Sequence, residues 1–546
     1  MGSPDKLVRH FRQILLWPLH LLPTGSGVQI QKHWEVLRRE CRDVTWREVV
    51  DEFTGDPREF KERHYGEFVA FLPYVQRVLY GDVRRRARGL EAVGSPMRVF
   101  RRDDVAAVRL TVQPDEPARI LQIAHIDLYF FYDTDVVLLN VEVYADNLSL
   151  QQAQDTMYRF GRAYPTVWDD AGRALHCAHR VEWLGRNGET LAVSDFERRE
   201  QYLEFVCLQR AARISSHWAF LLWPLVLDQS DEAGAMRFQL IEYYRMPVMA
   251  YLAMEDPGVL ARSDFVRLGL VTEAGAEGSL PYSDAHCADF ERRYCYDRFW
   301  GEDGTRARTR FLCSGHSLVA VGDARSPLFT DSERGVLAQF RHQHFVLFLI
   351  AHLQKAALLM FSDRLVQALN RLDILDPESV RRFKRVIRQN FEMFLRFSHR
   401  YWFHELSEQA PIKALFQMCV GHLGNDGLYD EVKAEITDMS QYLDSDSLRR
   451  QANTVVRLTV VTTFGLIGTV ATGFLGMNLI AEAENPWSAK LLYFALVFVP
   501  TVGLTLYTIV KSKRLSDFLE ALSDERLSAR QKLRALLEVW RPRATR

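Results

Sequence analysis

Two long apolar runs near the end of the chain dominate its hydrophobic pattern. Residues 455–475 read VVRLTVVTTFGLIGTVATGFL, and residues 491–510 read LLYFALVFVPTVGLTLYTIV. Each run has the length of about 20 residues that a helix needs to cross about 30 Å of hydrocarbon. Arg457 is the only charged residue in either run. The pattern predicts a two-helix transmembrane hairpin (455–510) closed by a short turn.

The region before these runs, 331–454, predicts long helices. Residues 429–453 contain neither proline nor glycine and lead directly into the first run, which predicts a stalk helix continuous with the membrane helix. Residues 345–361 are apolar enough to resemble a third span but include His352, Gln354 and Lys355. Residues 345–361 are therefore interpreted either as a buried helix or as a helix with some membrane contact.

The first half of the chain shows two patterns. Residues 1–96 have apolar positions at helical spacing and are predicted to form a mostly helical region. Within it, the stretch ILLWPLHLL (14–22) is interpreted as helix ends stopped by proline, with a targeting signal as the alternative. Residues 97–330 are predicted to form an α/β domain, because β-branched and aromatic runs alternate with turn residues. The predicted strands lie at 106–112, 118–132 and 136–145, with a late pair within 309–323.

Charge and cysteine content indicate the compartment and the kinds of partner to expect. The 546 residues carry 69 basic and 70 acidic side chains, which gives no indication of nucleic-acid binding. The seven cysteines are scattered without a CxxC pair, as is typical of a reducing compartment. Glu482 and Glu484 lie in the turn, whereas the tail 511–546 is basic, so the positive-inside rule places both termini in the cytoplasm. The tail either lies on the inner membrane face or packs against the body.

Motifs for other chemistry are weak. His176, Cys177 and His179 lack a fourth ligand at zinc spacing, and we interpret them as core or surface residues. No glycine-rich nucleotide loop and no GxSxG element stands out, so neither an enzyme activity nor an organic cofactor is expected.

Gly476, Met477 and Asn478 end the first apolar run. A stalk helix, this triad, a short acidic turn, a second span and a basic end together resemble the CorA family of divalent-cation channels. Leu475 stands where that family usually has tyrosine, and the turn differs from the usual family sequence. The resemblance covers about 90 residues, up to Arg514.

The resemblance implies a homopentameric, funnel-like channel in the inner (plasma) membrane that passes Mg²⁺, with Co²⁺ or Ni²⁺ as further ions. It implies an α+β or α/β cytoplasmic domain on long stalk helices. It also implies pore-lining roles for Thr469, Leu466 and Leu458, and a regulatory Mg²⁺ site on the stalk, for which Asp438 is nearest to a family position.

The chemistry of these residues agrees with that expectation. Mg²⁺ keeps its waters tightly, so a ring of neutral oxygens from Asn478 is suited to capture the hydrated ion. Counting back by helical turns places Thr469, Leu466, Thr462 and Leu458 on one face. Hydroxyls there could contact hydrated ions while the leucines form an apolar gate, or the small residues could merely allow close helix packing. Met477 is interpreted as a packing residue.

Two alternatives remain. The chain could belong to the zinc-transporting branch of the same superfamily, which shares the triad. It could also be a non-conducting, membrane-tethered cytoplasmic sensor or scaffold that keeps only the hairpin. The expected partners are divalent metal ions, membrane lipid and further copies of the chain.

Overall fold

A computed structural model provides the structure of the chain. It describes residues 6–23, 32–40, 45–49, 58, 60–86, 89–93, 95–275, 280, 282–301, 308–373, 376–478, 486–503 and 507. These residues fall into two compact units, Met1–Ile436 and Thr437–Arg546. The turn 479–485 and the basic tail 511–546, for which the sequence makes predictions, lie outside the described residues.

The first unit contains all the strands among the described residues. Their bounds are β1 Leu7–Leu21, β2 Trp46–Glu48, β3 Asp82–Arg86, β4 Gly89–Val93, β5 Met97–Arg102, β6 Val105–Thr111, β7 Arg119–Phe131, β8 Val136–Ser149, β9 Arg180–Gly185, β10 Thr190–Val193, β11 Leu225–Leu227, β12 Met236–Leu240, β13 Val248–Met254, β14 Cys295–Tyr296, β15 Arg310–Cys313 and β16 Ser317–Asp323. All but the β3–β4 hairpin join one mixed sheet.

The described helices become longer towards the end of the chain. Their bounds are α1 His33–Glu40, α2 Glu62–Ala70, α3 Pro73–Tyr80, α4 Leu150–Arg159, α5 Arg199–Gln209, α6 Ser216–Leu222, α7 Arg262–Leu270, α8 Asp284–Tyr294, α9 Pro327–Thr330, α10 Val336–Gln339, α11 Phe345–Asn370, α12 Pro377–Arg400, α13 Ala410–Leu423, α14 Asn425–Asn478 and α15 Trp487–Gly503. A π-helical turn, Phe340–His344, joins α10 to α11.

The sheet has the order β10-β9-β6-β7-β8-β1-β13-β16-β15-β14, and its neighbours are antiparallel except for the parallel pair β13 and β16. Off this path, β11 pairs in parallel with β12, and β12 pairs with β1. The predicted strand run at 106–145 is confirmed, because β6, β7 and β8 form a meander. The late pair is confirmed as β15 and β16. A large α/β domain is therefore present.

The prediction of a helix end at residues 14–22 is wrong, and residues 1–96 are mixed rather than mostly helical. This stretch belongs to β1, which pairs with β8 along its length and with β13 and β12 on the other edge. Pro18 is tolerated because the β13 ladder stops at Leu15 and the β12 ladder begins at Leu19. A strand buried on both faces has no polar alternation, and its sequence therefore resembles a buried helix.

Helix α11 packs against β1 and β8 and also contacts α12 and α13. By length and composition, the continuous stretch Val336–Asn370 could span a membrane, but 78% of its most apolar window is buried. Its polar residues have internal partners: His352 Nε2 lies 3.1 Å from the Gly315 carbonyl, and Gln354 donates to the carbonyls of Tyr401 and Phe403. Of the two alternatives for residues 345–361, the structure therefore shows the buried helix.

The stalk prediction is confirmed for the backbone. Helix α14 is 54 residues long and unbroken, so residues 429–453 and the first apolar run belong to the same helix. Helix α12 confirms the further predicted helix after Asp376, whose carboxylate caps it by accepting from the amides of Glu378 and Ser379.

Candidate ion-conducting helices

The second half of α14 and helix α15 carry the residues that the sequence predicts for ion conduction. Threonine hydroxyls in this part of α14 donate to carbonyls four residues earlier: Thr462 to Leu458, and Thr469 to Gly465 at 2.9 Å. Thr472 and Thr501 make the same type of bond. Each hydroxyl proton is thus satisfied within its own helix, as a segment in hydrocarbon requires, while the oxygen can still accept from water.

Helices α14 and α15 contact each other through small residues. Gly468 is buried, and a Cβ atom built on it would lie only 2.4 Å from Thr501 Cγ2. Glycine at 468 therefore allows the two backbones to approach closely, which is the usual way in which membrane helices associate. Thr501 was not singled out from the sequence. A small polar residue in the second apolar run is the signal that could have found it.

The predicted pore residues share an exposed face of α14. Leu458 and Leu466 are 66% and 69% exposed, and Thr462 and Thr469 are also exposed. At about 100° per residue, these four positions lie between about 80° and 160° around the helix axis from Gly468. The stripe therefore lies outside the contact with Thr501, and the described residues of the chain leave it uncovered.

Three glycines on or beside this stripe are also open. A Cβ atom at Gly465, Gly473 or Gly476 would meet no heavy atom within 4 Å. Their small size is therefore not required by packing against the described residues, in contrast to Gly468.

A broad apolar surface covers both helices. The exposed large apolar side chains of this unit are Val455, Leu458, Leu466, Trp487, Leu491, Leu492, Tyr493, Phe494, Leu496, Phe498, Val499 and Val502. Soluble monomers rarely expose a contiguous apolar surface larger than a few hundred Å². Exposed apolar side chains in such number are typical of surfaces that contact membrane or protein.

The triad occupies the last three described residues of α14, 476–478. Gly476 is exposed, whereas the side chains of Leu475, Met477 and Asn478 lie outside the described residues. Within the described part of the helix, the triad thus comes directly after the exposed stripe.

The regulatory candidate lies further back on α14. Asp438 is exposed, as are Asp430 and Glu431, while the side chains of Asp444 and Asp446 are outside the described residues. In the part of the chain that the structure describes, no three His, Cys, Asp or Glu side chains are grouped to hold a metal ion.

Comparison with known proteins does not assign the chain to a family. No protein-family model matches the sequence, and no curated protein does either. The resemblance to CorA channels therefore depends on the sequence motifs alone.

Proposed function

We propose that the chain is a CorA-like channel that moves Mg²⁺ across the inner (plasma) membrane into the cytoplasm. The observation that carries the proposal is the position of the Gly476-Met477-Asn478 triad, on the same helix as an exposed stripe of Thr and Leu that lies outside the contact with α15. In this proposal residues 455–510 form the transmembrane hairpin, and Co²⁺ and Ni²⁺ are further permeant ions.

The geometry of the stripe supports an oligomer. A single pair of helices cannot enclose a pore, and the face with Leu458, Thr462, Leu466 and Thr469 is uncovered in one chain. A ring of chains with α14 inside and α15 outside would turn this face to a central axis. The open glycines Gly465 and Gly473 would then allow neighbouring α14 helices to approach. The family resemblance implies five chains.

The entrance chemistry is provided by neutral oxygens. A ring of Asn478 amides can hydrogen-bond the waters of a hydrated Mg²⁺ without trapping the ion. Further inward, the oxygens of Thr469 and Thr462 can accept from those waters because their own protons are already donated to the backbone. The ion would thus keep its water shell.

Leu466 and Leu458 supply the gate. Rings of exposed leucine at two levels of the axis would exclude water when the helices are close together and admit it when they separate. Helix α14 extends from the first unit to the triad without a break, so a rearrangement of the cytoplasmic body would be transmitted along it. Binding of Mg²⁺ by Asp438 together with carboxylates of a neighbouring chain would hold the closed state.

The driving force is the membrane potential, since neither apolar run contains an acidic residue or histidine for proton relay. For a divalent ion it amounts to roughly 4.6 kcal/mol per 100 mV.

The test is metal uptake into liposomes containing the purified chain. Mg²⁺, Co²⁺, Ni²⁺ and Zn²⁺ are supplied in turn, with and without a proton gradient. Selective Mg²⁺ uptake that Asn478→Ala abolishes is expected. Zn²⁺ uptake that needs a proton gradient would favour the zinc-transporting branch. Uptake equal to that of empty liposomes for every ion would favour the non-conducting sensor.

A further inference from the structure

A large cavity lined by both polar and apolar side chains lies within the first unit, between helices α11 and α12 and the ends of several strands. Its volume is about 920 Å³, near the upper end of the range usual for small-molecule sites. Helix α12 contributes one face to it, from Ser379 to Arg396, which at 1.5 Å per residue is about 25 Å long. The cavity is therefore an elongated groove rather than a site for a single ion.

Two deeply buried polar side chains line this groove without using all their hydrogen-bonding atoms. Asn390 is 2% exposed and His20 is 3% exposed. Among the described residues, Asn390 Nδ2 and His20 Nε2 have no hydrogen-bond partner. Burial lowers the pKa of His20 to about 4, with Arg364 acting in the same direction, so its ring is neutral near pH 7. Buried polar atoms that lack a partner are costly, and a bound ligand would satisfy them.

The buried carboxylates of the groove are already neutralised. Asp135 pairs with Arg364, and Asp133 pairs with Arg400 and lies 3.5 Å from Arg396. Their charges are thus compensated by guanidinium groups, which leaves little attraction for a metal cation.

Two further arginines at one end of the groove have no such compensation. Arg371 follows α11, and Arg382 lies in the second turn of α12; Ser379, whose hydroxyl donates to the Arg371 carbonyl at 3.1 Å, connects the two elements. Neither guanidinium has a carboxylate partner within the described residues. Paired arginines of this kind are suited to a phosphate group, which they bind through several charge-assisted hydrogen bonds.

We propose that this groove binds a nucleoside phosphate, with the phosphates on Arg371 and Arg382 and the nucleoside over Asn390 and His20. Asp228 also lines the groove and accepts from Gln239 at 3.2 Å, which leaves acceptor capacity for a ribose hydroxyl or a base amino group. The length of the groove and its mixture of cations, amides and accepting carboxylates, which also include Glu392, match such a ligand better than a bare phosphate ion. The site lies wholly within Met1–Ile436 and does not depend on the transport proposal.

The experiment measures binding of ATP to the purified full-length chain by isothermal titration calorimetry, with orthophosphate as the second ligand. The test variant is Arg371→Gln/Arg382→Gln. The matched control is Arg381→Gln/Arg385→Gln, which removes the same charge from exposed positions that do not line the groove. Asn390→Ala tests the proposed contact between Asn390 and the nucleoside. Thermal melting without ligand shows that each variant is folded.

Saturable binding of one ATP per chain is expected. Loss of the two groove arginines should weaken it about tenfold or more, because hydrogen bonds between charged groups are lost. The control variant should bind within about twofold of the wild type, and Asn390→Ala should weaken ATP binding but not orthophosphate binding. Absence of ATP binding, equal weakening by both arginine pairs, or orthophosphate binding as tight as that of ATP would overturn the proposal.

Discussion

Gly468 of α14 and Thr501 of α15 lie so close together that a side chain at position 468 would collide with the threonine methyl group. The methyl cannot easily turn aside, because Thr501 Oγ1 donates to the Val497 carbonyl at 2.7 Å and this bond fixes its rotamer. The contact therefore depends on glycine. The Thr and Leu stripe, between about 80° and 160° around the axis from Gly468, lies outside this contact.

Gly468→Ala should destabilise the helix pair, whereas Gly473→Ala should not. Both changes bring the same gain in helix propensity, but a Cβ at 473 meets nothing within 4 Å. The difference in free energy of unfolding between the two variants should be about 1–3 kcal/mol, the usual cost of overpacking. Thermal unfolding in detergent micelles measures it. Equal melting temperatures would show that the Gly468–Thr501 contact is not important for stability.

Leu466→Asn should increase the flux of Mg²⁺ in the closed state. A polar ring at this level would hold water in the gate, and the apolar barrier would be lost. Leu496→Asn is the matched control, since Leu496 is equally exposed, at 68%, but lies on α15. Uptake is measured at a high internal Mg²⁺ concentration, which favours the closed state. If both variants leak equally, or neither leaks, Leu466 does not form a gate.

Asp135→Asn should strongly destabilise the first unit. Asp135 is buried and pairs with Arg364, so its neutralisation leaves a guanidinium without a counter-charge in a mostly buried position. Loss of one partner of a buried pair costs about 3–5 kcal/mol. Glu378→Gln breaks the exposed pair with Arg381 and should cost less than about 1 kcal/mol. Denaturant titration of both variants compares the two losses, and similar losses would contradict the role of Asp135.

His344→Phe should weaken the acid sensitivity of the fold. Burial lowers the pKa of His344 from 6.5 to about 4, and its ring packs edge-on against Phe311. Between these pH values only the unfolded chain binds the proton, so the free energy of unfolding falls as the pH drops from 6.5 to 4, by at most about 3 kcal/mol for this residue. Phenylalanine removes that contribution.

The measurement is the melting temperature from pH 7.5 to pH 4. The variant should melt no lower than the wild type at pH 7.5, because the change also removes two ring nitrogens that have no partner within the described residues. It should lose less stability on acidification. His399→Gln, at an exposed position, should follow the wild-type curve. If His344→Phe follows that curve as well, the buried histidine does not contribute to acid sensitivity.

Local pattern was sufficient to predict the elements whose sequence has a clear period. The strands β6 to β8 alternate or are bounded by Pro and Asp, and α12 and α14 carry long uninterrupted helical stretches. Strand β1 is not predicted from the sequence, because residues 13–21 are all buried and do not alternate with polar residues. Its pairing with β8, β13 and β12 makes it a strand. Only tertiary structure distinguishes such a strand from a helix.

The two candidate sites also differ in how far the sequence alone can predict them. The triad and the stripe lie within about 20 residues of one helix, so their common face could be counted from the sequence. The groove joins His20 of β1 to Asn390 of α12, which are 370 positions apart, and no local motif connects them. Thr501 was missed for the same reason, since its importance arises from Gly468 on another helix.

Potential-driven Mg²⁺ entry into liposomes tests the transport proposal most directly. A potassium diffusion gradient with valinomycin sets the inside-negative potential, and a trapped indicator reports the initial rate of Mg²⁺ entry for the wild type, for Asn478→Ala and for empty liposomes. The wild-type rate should rise with the potential and should not require a proton gradient, and Asn478→Ala should reduce it to the rate of empty liposomes. A wild-type rate that is independent of the potential, or equal to that of Asn478→Ala, would contradict the account.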